Sequence, residues 1–126
     1  MSDDQPIDLR PAECERAVVE LAIESWRFQK LFGRALAKLD AGESLRFTNQ
    51  HRYFVKKIDD CLESIGFRLV NLEGQQYEHG SAVSALNVGD FNAEDDLIVD
   101  QMIEPVVMGK EGLLRPGTVV LRKVDK

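Results

Sequence analysis

The sequence predicts an α+β fold, with an N-terminal helical hairpin followed by a small, mostly antiparallel β-module. Two observations support this prediction. Apolar residues recur at alternating steps of three and four along residues 11–66, which is the period of a helix packed on one side. Residues 67–126 then change to short β-branched runs separated by Gly and Pro, which is typical of short strands. Residues 1–10 are polar and aperiodic, and we expect a flexible tail there.

The first helix is predicted to begin at Pro11, because a proline suits the first helical position. Its apolar seam consists of Val18, Leu21, Ser25, Phe28, Phe32, Ala35 and Leu39. Further apolar residues lie beside the seam, namely Ile23, Trp26, Leu31 and Leu36. The apolar surface is therefore wide, and we expect the helix to pack on more than one neighbour. We expect it to stop at Asp40-Ala41-Gly42, with Gly42 at a positive φ angle.

The second helix is predicted to follow Ser44, whose hydroxyl can accept a hydrogen bond from a free amide at the start of a helix. Its apolar stripe consists of Phe47, His51, Phe54, Ile58, Cys61 or Leu62, and Ile65. We expect Gly66 to end this helix in the left-handed conformation, which glycine adopts without steric cost. Because His51 lies on the apolar stripe, we expect it to have a hydrogen-bonded packing role.

The β-module is predicted from apolar runs at residues 67–70, 82–86, 97–103, 106–108 and 118–121. Pro105 cannot donate a hydrogen bond to a sheet, so it marks a sheet edge or the start of a strand. We expect residues 106–108 to pair with residues 118–121 across the connection from Gly109 to Gly117.

Charge and composition exclude several classes of partner. The formal net charge is −6, whereas nucleic acids and anionic membrane surfaces bind positive patches, so we expect neither as a partner. No apolar run is long enough to span a bilayer, and residues 1–4 are acidic, unlike a signal peptide. We therefore expect a cytoplasmic protein, in which Cys14 and Cys61 are free thiols and Cys61 is partly buried.

No segment predicts a catalytic, metal or cofactor site. The acidic segment from Asp90 resembles half of a calcium loop, but Asp95 stands where that loop needs Gly and Gln101 where it needs Glu. His79 lies in a turn with polar neighbours, which do not converge on a substrate as the members of a catalytic triad do. The cysteines have no metal-ligand spacing, and the glycines form no phosphate-binding loop. We predict no metal, no cofactor and no enzymatic activity.

Two segments resemble a known family. In the first, Gly66 ends a helix and Tyr77-Glu78 follows. In the second, Gly112 to Leu121, we expect Leu114-Arg115-Pro116 to open the last strand. Together they resemble the C-terminal head of GrpE, the nucleotide-exchange cochaperone of DnaK-type chaperones, over roughly residues 55–123. Glu78 replaces the family's Asp, and the helical part is shorter than the family's. Gly112 stands where the family has an Arg on its chaperone-facing side.

The resemblance implies that the β-module wedges against the nucleotide-binding lobe of a DnaK-type ATPase. It would bind the open lobe better than the closed one and so speed ADP release. The predicted partner-binding residues are Met108, Leu113, Leu114 and Arg115. We expect Leu114 to be the apolar anchor and Arg115 to be a hydrogen-bond donor. In the alternative, the apolar residues fill the core and Arg115 holds the head onto the helices.

The first helix also predicts a homodimer. Without a partner, its aromatic residues would leave an exposed apolar patch of a size that monomers usually avoid. The predicted dimer interface consists of Val18, Leu21, Phe28, Phe32 and Leu39.

Two other functions are compatible with the sequence. One is an adaptor, or an assembly or secretion chaperone, that binds through the helical hairpin. The other is a small enzyme with a site around Glu78, His79, Asn87 and Asp90, which would require a deep pocket with convergent polar groups.

Overall fold

The computed structural model describes residues 11–124 of the chain. Two helices come first and two small sheets follow, which confirms the predicted α+β class with a helical pair before a β-module. Helix α1 spans Pro11–Leu36 and helix α2 spans Ala41–Glu63. Neither helix is long and apolar enough to cross a membrane. The predicted tail at residues 1–10 lies outside the described residues.

The connection between the helices differs from the prediction. Asp40, rather than Ser44, is the N-cap of α2, because its carboxylate accepts a hydrogen bond of 3.0 Å from the backbone amide of Glu43. A carboxylate caps a helix at least as well as a hydroxyl, and its charge suits the positive end of the helix. Gly42 therefore lies inside α2 without a positive φ angle, whereas Gly66 has the predicted one, +79°.

Within the described residues, six short strands follow the helices: β1 at Arg68–Val70, β2 at Val83–Ala85, β3 at Leu97–Glu104, β4 at Val106–Gly109, β5 at Gly112–Arg115 and β6 at Gly117–Lys123. They form two three-stranded sheets with the orders β1–β4–β5 and β2–β6–β3. Every pairing is antiparallel except that of β2 with β6. The β-module is therefore mostly antiparallel, as predicted.

The predicted pairing of residues 106–108 with residues 118–121 is wrong. After β4 the chain turns back within two residues, and Gly109 pairs with Gly112, so β4 pairs with β5 instead. Strand β6 pairs with β2 and β3 in the other sheet. The short turn brings a nearer strand to β4 before the chain reaches β6.

Two prolines mark the places where the chain passes from one sheet to the other. Pro105 lies between β3 and β4, and Pro116 lies between β5 and β6. Because proline has no amide hydrogen, a ladder ends there without leaving a donor unpaired. This agrees with the prediction that Pro105 marks the start of a strand.

Helix α1 packs on the β-module through three buried side chains. Val19 and Ile23 form a cluster with the fully buried Val107 of β4. Trp26 packs into the larger core cluster, which is built mainly from β3 and β6. These residues lie outside the predicted seam, so the helix has two neighbours, as expected from its wide apolar surface. Helix α2 has a single buried residue among those described, Leu62.

A partly buried charge network also joins α1 to the β-module. Lys30 of α1 forms an ion pair with Glu73, and its ammonium lies 4.8 Å from the centre of the Trp26 ring. The Glu73 carboxylate also accepts a hydrogen bond of 2.9 Å from the backbone amide of Met102 in β3. Burial raises the pKa of Glu73, but the hydrogen bonds from Lys30 and Met102 outweigh burial, so this pKa lies below its ordinary value.

We expect Glu73→Gln to reduce the loss of stability in acid. A carboxylate with a lowered folded-state pKa stabilises the fold fully above its unfolded pKa, and this contribution is lost as the pH falls through the folded value. From about pH 6 to about pH 3, the wild type should lose about 1 kcal/mol more unfolding free energy than Glu73→Gln, measured by urea titration. Equal losses in the two proteins would contradict this role of Glu73.

Candidate functional site

Two surfaces contain residues of the predicted partner-binding and dimer-interface sets. The first is the turn between β4 and β5 together with β5 itself, residues 109–115, which we call the β-tip. The second is the groove between α1 and α2, which we call the helical groove; it is lined by Phe28, Gln29, Phe32, Gln50, His51, Tyr53 and Phe54. They lie on different elements, so they can contact different partners.

The β-tip presents only part of the predicted partner-binding set to solvent. Leu113 is 48% exposed. Leu114, by contrast, packs against the cluster that contains Val19 and Ile23 of α1. Met108 is half-buried and packs against the larger core cluster. Leu113 is therefore the apolar residue of this set that a partner can reach most easily.

Arg115 is bonded to the first helix. Its guanidinium donates a hydrogen bond of 2.8 Å to the carboxylate of Glu20. This contact favours the alternative in which Arg115 holds the head onto the helices. The two side chains are 38% and 57% exposed, so the pair contributes at most about 1 kcal/mol to stability.

The turn of the β-tip also contacts the chain at the end of α2. The aliphatic stem of Lys110 lies against Gly66 so closely that a Cβ added to Gly66 would overlap it. Gly112 has a φ angle of +126°, which residues with a side chain rarely adopt. A side chain at position 112 would therefore strain this turn.

The helical groove is open and apolar, with a volume of about 290 Å³. Phe28 is 59% exposed and stacks on Phe32, with 6.2 Å between the ring centres. Tyr53 is 66% exposed on the opposite wall. Cys61 of α2 was expected to be partly buried and is exposed instead, because no element of the described chain covers that side of α2.

The predicted dimer interface is accessible at most of its positions. Leu21 and Leu39 are 69% and 38% exposed, and Phe28 lies in the helical groove. Val18 and Phe32 are half-buried. The seam of α1 therefore faces away from the β-module, whose apolar contacts with α1 come from Val19, Ile23 and Trp26.

His51 forms part of the groove wall. Its Nε2 lies 2.8 Å from the backbone oxygen of Gln29 and 3.2 Å from the side-chain oxygen of the same residue. Two acceptors at one ring nitrogen mean that this nitrogen carries the proton. The ring also packs on Phe32, with 5.7 Å between the centres. The predicted hydrogen-bonded packing role of His51 is confirmed.

Two of the four residues of the enzyme alternative, Asn87 and His79, have structural contacts. The side-chain amide of Asn87 donates to the backbone oxygen of Leu121 and accepts from its amide, both at 2.9 Å. His79 packs edge-on against Tyr77, with 5.7 Å between the rings. Asn87 therefore fastens strand β6, and its amide is occupied by the backbone.

Contacts within the chain fix the acidic segment that begins at Asp90. Asp95 accepts a hydrogen bond of 2.9 Å from the backbone amide of Asn92 and lies 3.3 Å from Lys123. The Asn92 amide and, to a smaller extent, Lys123 lower the pKa of Asp95. Among residues 11–124, no group of three or more His, Cys, Asp or Glu is placed to hold a metal ion.

The helical hairpin has one feature that the sequence analysis did not consider, which is segregation of charge. Residues 13–24 and 59–63, at the end nearest the β-module, carry seven carboxylates and one Arg. Residues 27–57, towards the connection between the helices, carry eight basic side chains and two carboxylates. The formal net charge of −6 for the whole chain does not show this segregation. Adding up the charges separately for each end of the hairpin would have predicted it from the sequence.

Comparisons with protein-family models, with curated proteins and with solved structures found no match. Evidence on the function therefore comes from the geometry of the two surfaces.

We expect Gly66→Ala to destabilise the protein more than Gly74→Ala. Both glycines have positive φ angles, +79° and +84°, so both variants should lose about 1–2 kcal/mol from backbone strain. Only the Gly66 variant also displaces Lys110, since the space beside Gly74 is empty. Adding Lys110→Ala to Gly66→Ala should reduce its cost to that of Gly74→Ala, as measured by chemical unfolding. Equal costs for the two single variants would show that Lys110 does not rest on Gly66.

We expect Arg115→Ala to lower the free energy of unfolding by about 0.5–1 kcal/mol, because it removes a partly exposed ion pair. A double-mutant cycle with Glu20→Gln should show that the two costs are not additive. Additive costs would mean that the contact with Glu20 contributes nothing to stability.

Proposed function

We propose that this chain is a cytoplasmic, non-enzymatic cochaperone of the GrpE type, whose β-module binds a DnaK-type ATPase and promotes release of ADP. The observation that carries the proposal is the order of elements around the resembling residues. Gly66 ends α2 at a positive φ angle and short strands follow. Leu114 and Arg115, expected to open the last strand, belong instead to β5, and Pro116 connects β5 to the closing strand β6. Strand β6 lies at the centre of its sheet, so the closing strand holds the module together.

The β-module has the rigidity that a wedge needs. Val107 and Val119, one in each sheet, are completely buried. The contacts of α1 and the Lys30–Glu73 pair fix the module to the helices. A rigid body that binds the open lobe of an ATPase better than the closed lobe shifts the ATPase by that difference in affinity. ADP then leaves faster because the open lobe holds the nucleotide less tightly.

We assign the partner contact to the outer side of the β-tip. Leu113 is half exposed there, and Lys110 and Glu111 are exposed beside it. In this assignment Leu114 and Arg115 support the tip from the side of α1. An exposed apolar side chain flanked by charges matches the usual composition of an interface centre and its rim.

We expect Leu113→Asp to weaken binding to the DnaK-type ATPase by about 1–2 kcal/mol. Release of a fluorescent ADP should slow in proportion at subsaturating concentrations. The melting temperature should stay close to that of the wild type, because Leu113 is exposed. Leu86→Asp is a matched control on the β-module, since Leu86 is 67% exposed. If Leu113→Asp binds as tightly as the wild type, the assignment to the β-tip is wrong.

The helical groove favours a second candidate function. An adaptor, or an assembly or secretion chaperone, would use exposed aromatic residues such as Phe28 and Tyr53 to hold a client. Client binding would then be lost in Phe28→Asp and retained in Leu113→Asp, which is the opposite of the pattern for the β-tip.

A further inference from the structure

We propose that strand β2 is a docking site for an extended peptide of another protein, which adds to the sheet as a further strand and carries Lys or Arg near its ends. The supporting observations are the unpaired backbone of β2, the uncharged sequence around it and the carboxylates at its two ends. Strand β2 belongs to the sheet β2–β6–β3, whereas the β-tip belongs to the other sheet. A peptide at β2 would therefore leave the β-tip free, and its binding does not depend on the proposed ATPase partner.

One side of β2 has no partner strand among residues 11–124. On the other side, the backbone oxygen of Ala82 and the backbone amide of Leu86 form hydrogen bonds of 2.9 and 3.0 Å with the backbone of β6. Successive residues of a strand direct their backbone groups to opposite sides, so Val83 and Ala85 direct their N–H and C=O groups away from β6. We call these four groups the β2 edge. Such a row of donors and acceptors is a template for pairing with another chain.

The sequence around the β2 edge has none of the residues that usually prevent such pairing. Natural proteins protect edge strands with charged side chains, especially Lys, and with Pro. Residues 79–89 contain no Asp, Glu, Lys, Arg or Pro, in a chain of which 30% of the residues are charged. Strand β2 has only three residues, which disfavours the pairing of whole sheets but leaves room for a short peptide.

Exposed apolar side chains lie at the end of β2. Leu86 is 67% exposed and Val88 is 41% exposed. Ser84 and Leu86 alternate with the half-buried Val83 and Ala85, so they lie on the outer face of the sheet. A strand added beside β2 would place one of its own side chains next to Leu86 on this face. In this mode of recognition, backbone hydrogen bonds provide the affinity and side-chain contacts provide the specificity.

Carboxylates lie at both ends of β2. Residues 69–109 carry eight carboxylates, three of them in ion pairs, and no Lys or Arg. Glu78 lies within one turn of the start of β2, because its backbone oxygen accepts a hydrogen bond of 3.1 Å from the amide of Ser81. Asp90 lies within one turn of the end, because its amide donates at 3.0 Å to Asn87. Neither carboxylate forms an ion pair with a described residue. A cation near each end of the peptide would supply the opposite charge.

Other occupants match these charges less well. Two β2 strands from two copies, side by side in either orientation, would bring their carboxylate ends together. Residues 1–10 of the chain contain three Asp and one Arg, so they carry the same sign of charge as the ends of β2. A nucleic acid would be repelled for the same reason. We therefore commit to a peptide with basic ends.

The first test is an NMR titration of the full chain with two synthetic peptides. Both have the core Val-Thr-Val-Thr-Val, and one has Lys and the other Glu at both ends. We expect the peptide with Lys ends to bind about tenfold more tightly, because attractive contacts replace repulsive ones at the two ends of β2. Its binding should slow hydrogen exchange at the amides of Val83 and Ala85, which form the β2 edge. No binding of this peptide, equal binding of both peptides, or binding without protection of these two amides would overturn the proposal.

The second test uses proline to remove single backbone donors. Ala85→Pro removes a donor of the β2 edge and no bond to β6, so we expect a folded protein that binds the peptide with Lys ends about tenfold more weakly. Ser84→Pro is the matched control, because the amide of Ser84 faces β6, and its melting temperature should fall instead. A folded Ala85→Pro protein that binds the peptide as the wild type does would contradict the proposal.

The third test reverses the charges at the ends of β2. The double variant Glu78→Lys and Asp90→Lys changes two exposed side chains that have no ion pair in the chain, so the fold should be retained. We expect it to prefer the peptide with Glu ends. Leu113→Asp, which tests the β-tip, should bind the peptides as the wild type does, so failure at one surface can be told from failure at the other. An unchanged preference for Lys ends in the double variant would overturn the assignment of a basic partner.

Discussion

The structure depends on the packing of one face of α1 against the β-module. Val19 and Ile23 contact the buried Val107, and Trp26 inserts into the larger core cluster. Burying side chains of this size stabilises the fold by roughly 2 kcal/mol each. The Lys30–Glu73 ion pair fixes the orientation of α1 on the β-module, because Glu73 also accepts a hydrogen bond from the backbone amide of Met102 in β3. The helix and both sheets are thus joined in a single unit.

This packing leaves two separate parts of the surface exposed, one at the β-tip and one on the helices. The face of α1 that contacts the β-module holds Leu114 and Arg115 on the inner side of the β-tip, and Leu113 is left on the outer side. The opposite face of α1 carries Leu21 and Phe28 into solvent beside α2. The β-tip and the helical groove therefore lie on separate parts of the surface.

The sequence predicted what depends on local patterns. The helical period, Gly66 as a helix end and the short β-branched strands follow from local chemistry, and the structure confirms them. Strand pairing was harder, because the apolar run at residues 106–108 fits β6 as well as β5, and only the tight turn after Gly109 decides between them. The contact of Arg115 with Glu20 joins residues 95 positions apart, which no local pattern can show.

The most direct test of the proposed function is the rate at which a DnaK-type ATPase releases fluorescent ADP while the concentration of the wild-type chain is increased. If the β-module wedges open the nucleotide-binding lobe, the rate should rise with concentration and reach a plateau when the ATPase is saturated. An unchanged rate at every concentration, with no complex on gel filtration, would contradict the exchange-factor function and favour an adaptor that binds through the helical groove.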